Sequence, residues 1–122
     1  MNNLIIETKS TFLPEFSDFS QAVYFFSYDI KIKNNGIEKV QLISRHWDIE
    51  DSMGRKKSVD GEGVVGKKPF ISPGEFFEYT SFCPLKTNYG YMNGFYTLRD
   101  KEGKLFKAPI PKFGLIPPNY IN

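Results

Sequence analysis

Over much of this chain the apolar positions recur at every second residue, the spacing of half-buried strands rather than of helices. Residues 22–33 carry the clearest case. Tyr24, Phe26, Tyr28, Ile30 and Ile32 fall on one side, and Ser27, Asp29, Lys31 and Lys33 on the other. Residues 4–13 read as an earlier strand stopped by Pro14, and 15–20 as a short polar loop. Asn34-Asn35-Gly36 is expected to be a hairpin turn, because Asn and Gly tolerate positive φ. In the following strand, 39–50, the parity changes: Val40 and Leu42 share one face, whereas Ile43, Trp47 and Ile49 share the other. A bulge near Ser44–Arg45, or cover on both faces, accounts for the switch. A turn at Asp51–Gly54, a short basic strand at 55–60, a glycine-rich stretch at 61–66 and a Pro-initiated turn at Ser72-Pro73-Gly74 follow. Further strands are expected at 75–82, 95–99 and 105–110. Residues 86–94, holding Asn88, Gly90, Asn93 and Gly94, read as a loop, and Pro109, Pro111, Pro117 and Pro118 mark the tail as an edge or extended segment. The pattern predicts an all-β antiparallel sandwich of seven to eight strands.

Composition agrees. The chain has 12 Phe and 7 Tyr but only 2 Ala, so strand-favouring residues dominate and the best helix former is nearly absent. At 122 residues it is expected to be a single domain spanning 1–122. Net charge is +2, too mild to argue for nucleic acid. The lysines of 24–33 also fall on the opposite side from the aromatic rings, which is wrong for stacking bases. The single cysteine, Cys83, and single histidine, His46, exclude a Cys/His zinc site within one protomer. Cys83 is expected to be a small apolar residue rather than a reactive thiol. The first residues have neither a basic start nor an apolar run, and no stretch approaches the ~20 apolar residues of a spanning helix. A cytoplasmic protein with no membrane contact is the expectation.

One further feature is a set of unusual residues in a fixed order. Arg45-His46-Trp47-Asp48-Ile49 precedes Val59-Asp60-Gly61-Glu62-Gly63-Val64-Val65-Gly66, followed by Pro69, Pro73-Gly74, Tyr79-Thr80-Ser81, Gly90, Met92, Gly94, Tyr96, Ile110-Pro111 and Phe113. From about Tyr24 to Pro117 the chain resembles the ApaG family. The resemblance implies an immunoglobulin- or fibronectin-III-like β-sandwich. It also implies a link to cobalt resistance and magnesium efflux. In animals the domain occurs within an F-box protein and a polymerase-interacting protein, which implies a protein-interaction role. It supplies no catalytic residues.

Two clusters are candidate sites. Gly61-x-Gly63-x-x-Gly66 matches a dinucleotide-binding pattern, but Pro69 and Pro73 forbid the long helix that such a motif must open. A weaker anion site remains, with backbone amides at Gly61, Gly63 and Gly66 and charge from Arg55, Lys56, Lys57, Lys67 and Lys68. It would take phosphate, pyrophosphate or a nucleotide. The plainer reading is a glycine turn between strands with lysines guarding an edge. His46, Asp48 and Glu50 share parity and could ligate a divalent cation, although the plainer reading is a polar outer face opposite Trp47 and Ile49. Trp47 is expected in the core, and Arg45 over a ring or paired with a carboxylate such as Glu78. No nucleophile motif surrounds any serine, and no cofactor is implied. The chain therefore reads as a non-enzymatic binding or regulatory module with a protein partner. The anion-binding reading is the alternative, and a homodimer through exposed strand edges is plausible.

Overall fold

The structure, a computed structural model, describes residues 3–118. Its strands are β1 (Leu4–Phe12), β2 (Tyr24–Asn34), β3 (Val40–Asp51), β4 (Lys56–Glu62), β5 (Phe70–Ile71), β6 (Phe76–Leu85), β7 (Gly90–Arg99) and β8 (Leu105–Leu115). Two single-turn 3₁₀ segments, Pro14–Phe16 and Phe19–Gln21, fill the expected loop between β1 and β2. The strands form two antiparallel sheets, one ordered β1-β2-β6 and the other β4-β3-β7-β8, with β5 added to β3 beyond the end of β4. The β-sandwich predicted by the alternation is therefore the fold.

The inner faces follow from that alternation. Phe26, Tyr28, Ile30 and Ile32 of β2 are buried against Trp47, Tyr96, Leu98 and Met92 of the larger sheet. The β3 parity switch is a bulge between Leu42 and Ser44, one residue before its expected place. It turns Val40 and Leu42 inward before the bulge and Trp47 inward after it. Trp47 meets Tyr28 edge-on with ring centroids 5.3 Å apart, and Tyr79 and Tyr96 join the sheets through a buried hydroxyl–hydroxyl bond. Burial raises the pKa of both phenols, so the pair stays neutral.

Two expectations are corrected. Asn34-Asn35-Gly36 is not a hairpin, because β2 and β3 lie in different sheets. The chain crosses the sandwich here, and Asn34 holds the crossing from inside. It is only 1% exposed, donates through Nδ2 to the Glu38 and Ile71 carbonyls, and accepts through Oδ1 from the Gly36 amide. The stretch 86–94 is not all loop, since β7 begins at Gly90. Gly94 sits opposite Trp47, where a Cβ would fall 1.9 Å from the His46 carbonyl oxygen. Glycine there allows close strand approach rather than breaking the strand. β8 likewise runs on past Pro109 and Pro111 to Leu115, because it is an edge strand.

The turns behave as their residues dictate. Ser72-Pro73-Gly74-Glu75 closes with the Glu75 amide on the Ser72 carbonyl, and Gly74 takes φ +82°. Asp51 and Asp100 each cap a tight turn by accepting two backbone amides on Oδ1, Met53 and Arg55 for the first, Glu102 and Lys104 for the second.

Candidate functional site

The glycine-rich stretch is built for packing. Gly61 lies in β4 opposite Arg45, and a Cβ there would fall 2.5 Å from the Arg45 Nη2. The guanidinium instead occupies that space and donates to the Glu62 and Gly63 carbonyls at 3.0 and 2.7 Å. This replaces the expected ring or Glu78 partner for Arg45. The amide of Gly63 donates to the Ile43 carbonyl, and Val64 and Lys67 exchange amide and carbonyl bonds around Val65-Gly66. Val65 and Gly66 have φ of +43° and +79°, the two positive values a two-residue hairpin requires. The amides of Gly63, Val64 and Lys67 thus already have acceptors in the protein.

The basic residues around this stretch do not converge. Arg55, Lys56 and Lys57 stand at the start of β4, and Lys67 and Lys68 beyond its far end, roughly 15–20 Å away along an extended strand. Lys68 is engaged by Glu62 at 2.7 Å, a contact that lowers the Glu62 pKa.

His46 stands on the outer face of β3 with a carboxylate on each ring nitrogen: Asp60 on Nδ1 at 2.6 Å and Asp48 on Nε2 at 3.0 Å. Its ring stacks on Phe95 with centroids 4.8 Å apart, and Lys107 Nζ lies 4.4 Å from the same ring centre. The Asp60 hydrogen bond is the main cause of a raised His46 pKa, and Asp48 adds to it. The Asp48 pKa is lowered, first by the Ser58 hydroxyl at 2.7 Å and then by His46. Of the expected cation ligands, His46 and Asp48 are together, but Glu50 lies farther along β3, opposite Lys56. Among the described residues, no three His, Cys, Asp or Glu side chains are grouped to hold a metal ion. Asp60 is the partner that sequence reasoning missed. Only the β3–β4 register places it beside His46.

The geometry of the two sandwich edges differs. Along one edge β1 lies against β8, fastened by the Ser10 hydroxyl on the Gly114 carbonyl at 2.6 Å. At the other edge β4 pairs only with β3, and β6 only with β2. A cleft of 530 Å³ opens between them. Trp47, Val59, Leu85 and Met92 make its apolar walls, and Lys56, Lys57 and Lys86 stand among its lining residues. None of these three lysines forms an ion pair among the described residues. Arg55 also lines the cleft, but its Nε is held by Asp51 at 2.7 Å. The Trp47 indole Nε1 is buried, and no protein group within hydrogen-bonding distance accepts from it. Cys83 lines the same cleft, and burial pushes its thiol pKa up to about 11. It is therefore protonated and a poor nucleophile near neutrality.

Beside the cleft, β6 turns a second feature outward. Phe82 is 56% exposed and Phe16, on the first 3₁₀ turn, is 66% exposed. Both pack on the half-buried Phe25 of β2, with centroids 5.8 and 6.2 Å away. Three neighbouring rings thus form an aromatic surface on the outer face of the smaller sheet.

A two-sheet antiparallel β-sandwich, closed at one edge and cleft at the other with an aromatic outer patch beside the opening, is the class of domain these features define. The chain belongs to the ApaG family: the ApaG domain model matches residues 14–100. It is 50% identical over 108 residues to the protein ApaG of Methylobacterium sp. (strain 4-46), covering 88% of this chain and 83% of that one. To the protein ApaG of Anaeromyxobacter dehalogenans (strain 2CP-C) it is 44% identical over 117 residues, covering 96% and 92%. The crystal structure of the putative ApaA protein from Bordetella pertussis superposes with a TM-score of 0.92 at 44% identity, covering 96% of this chain and 95% of that one. No helix among the described residues is long and apolar enough to cross a membrane.

Proposed function

We propose that this ApaG chain is a binding module without catalytic chemistry of its own, and that it engages a protein partner through the Phe16–Phe25–Phe82 surface. The observation that carries this reading is the contiguous outward set of rings. Folded monomers seldom present large phenylalanines side by side to water, and aromatic residues are enriched where proteins meet. Two of the three rings, Phe25 and Phe82, stand on paired strands, so little ordering entropy is lost there on contact. The family's link to cobalt resistance and magnesium efflux would then run through the partner and not through an ion held by this chain. The engagement of both His46 nitrogens by carboxylates supports that view.

Photo-crosslinking in living cells tests the proposal. With benzoylphenylalanine in place of Phe82, a discrete covalent adduct to another protein is expected, absent when the same group replaces Lys104 in the distant β7–β8 turn. No adduct at position 82, or identical adducts at both positions, would reject the reading.

A further inference from the structure

The cleft between β4 and β6 shares Phe82 with that outward aromatic surface, but the rest of its lining has a chemistry that points to a different kind of ligand. Its volume of 530 Å³ lies within the range of small-molecule sites, which combine apolar walls with a few polar groups that fix orientation. Five cations line it, Arg45, Arg55, Lys56, Lys57 and Lys86, against one carboxylate, Asp51. Arg45 is committed to the Glu62 and Gly63 carbonyls, and Arg55 to Asp51. The three lysines form no ion pair among the described residues, although Asp48 feels the charge of Lys56, and they stand as positive charge beside an apolar slot. Trp47, 2% exposed, adds a buried N–H without a protein acceptor. Buried donors are almost always paired, so an unpaired one on a residue that lines a cleft is a donor for an incoming acceptor to satisfy.

We propose that this cleft binds a small organic anion. Its apolar body packs on Trp47, Val59 and Met92, its carboxylate or phosphate sits among Lys56, Lys57 and Lys86, and an acceptor atom meets the Trp47 indole N–H. This site keeps Lys56 and Lys57 of the anion site expected from the sequence but not its glycine stretch. That stretch lies at the other end of β4, and the new site uses side chains and an indole rather than backbone amides.

Trp47 is the chain's single tryptophan, so one indole N–H signal reports the site without ambiguity. The ¹⁵N-labelled full chain is titrated with 2-naphthoate, 1-naphthyl phosphate, the neutral 2-naphthalenemethanol and inorganic phosphate. The expected result is a saturable shift of the indole signal with at least one naphthyl anion, and which anion does so identifies the preferred head group. The neutral alcohol should bind roughly tenfold more weakly, and so should the anion to a Lys56→Gln/Lys57→Gln/Lys86→Gln variant. Exposed lysines leave the fold intact, as an otherwise unchanged spectrum will verify. The proposal is overturned if the indole signal ignores both anions. It is also overturned if the alcohol binds as tightly, if the triple variant binds unchanged, or if inorganic phosphate alone reproduces the shift.

Discussion

With a carboxylate on each ring nitrogen, His46 gains a proton more readily in the folded chain than when free. The sign of the consequence follows from linkage. A raised folded-state pKa gives a stabilising contribution that is complete below about pH 6.5 and is lost as pH rises through the folded value. The lowered pKa of Asp48 acts at the other end. Its contribution is present above the ordinary aspartate value and lost as pH falls through the folded one. Because His46 is the only histidine, its ring protons titrate in isolation by NMR. They should give a pKa above 6.5, moved back toward it by Asp60→Asn and less by Asp48→Asn. Asn34 makes a plainer prediction. Asn34→Ala leaves the Glu38 and Ile71 carbonyls without their side-chain donor, and urea unfolding should register a loss of about 2–3 kcal/mol with the slope unchanged. The Cys83 thiol should resist a disulfide reagent in the native protein and react at once in denaturant. At this scale Trp47 was legible, because a lone indole on a strand needs only parity to be placed. Asp60 was not, since a cross-strand partner depends on register, and register is set by contacts far apart in the chain.

Among elements, β2 and β7 make the instructive contrast. β2 could be read from its alternation alone, because one side is buried and the other wet. β7 was half hidden, since Gly90, Asn93 and Gly94 carry turn chemistry when considered locally. In the fold those glycines answer a tertiary need: a Cβ at Gly90 would fall 2.5 Å from the Glu50 carbonyl oxygen, and one at Gly94 nearer still to that of His46. The same competition explains Asn34-Asn35-Gly36, whose hairpin chemistry yields to the pairing of β2 with β1 and β6. Gly94→Ala should therefore be far more damaging than Gly74→Ala, although Gly74 is the one with positive φ. The first forces β3 and β7 apart, whereas nothing lies within 4 Å of a Cβ at the second. Thermal melts should show a modest decrease for Gly74→Ala, about 1 kcal/mol, and little or no cooperative transition for Gly94→Ala.

At the scale of the whole molecule, the two sheets meet firmly at β1 and β8 and part at β4 and β6. That asymmetry was not legible in the sequence, because nothing in the alternation of one strand says which edges meet. The clusters singled out from sequence spacing, Gly61–Gly66 and His46–Asp48–Glu50, are drawn largely into the protein's own bonding. The exposed rings of Phe16 and Phe82, far apart in the chain, meet over Phe25 only because β2 pairs with β6. The central claim is that this surface holds a protein partner, and capture from native lysate by the parent and by a Phe16→Ser/Phe82→Ser variant, side by side, tests it most directly. Both side chains are largely exposed, so the variant should stay folded. The account predicts a specific protein retained by the parent at its own abundance ratio and lost, at least tenfold, from the variant. Equal retention of the same proteins by both would contradict it.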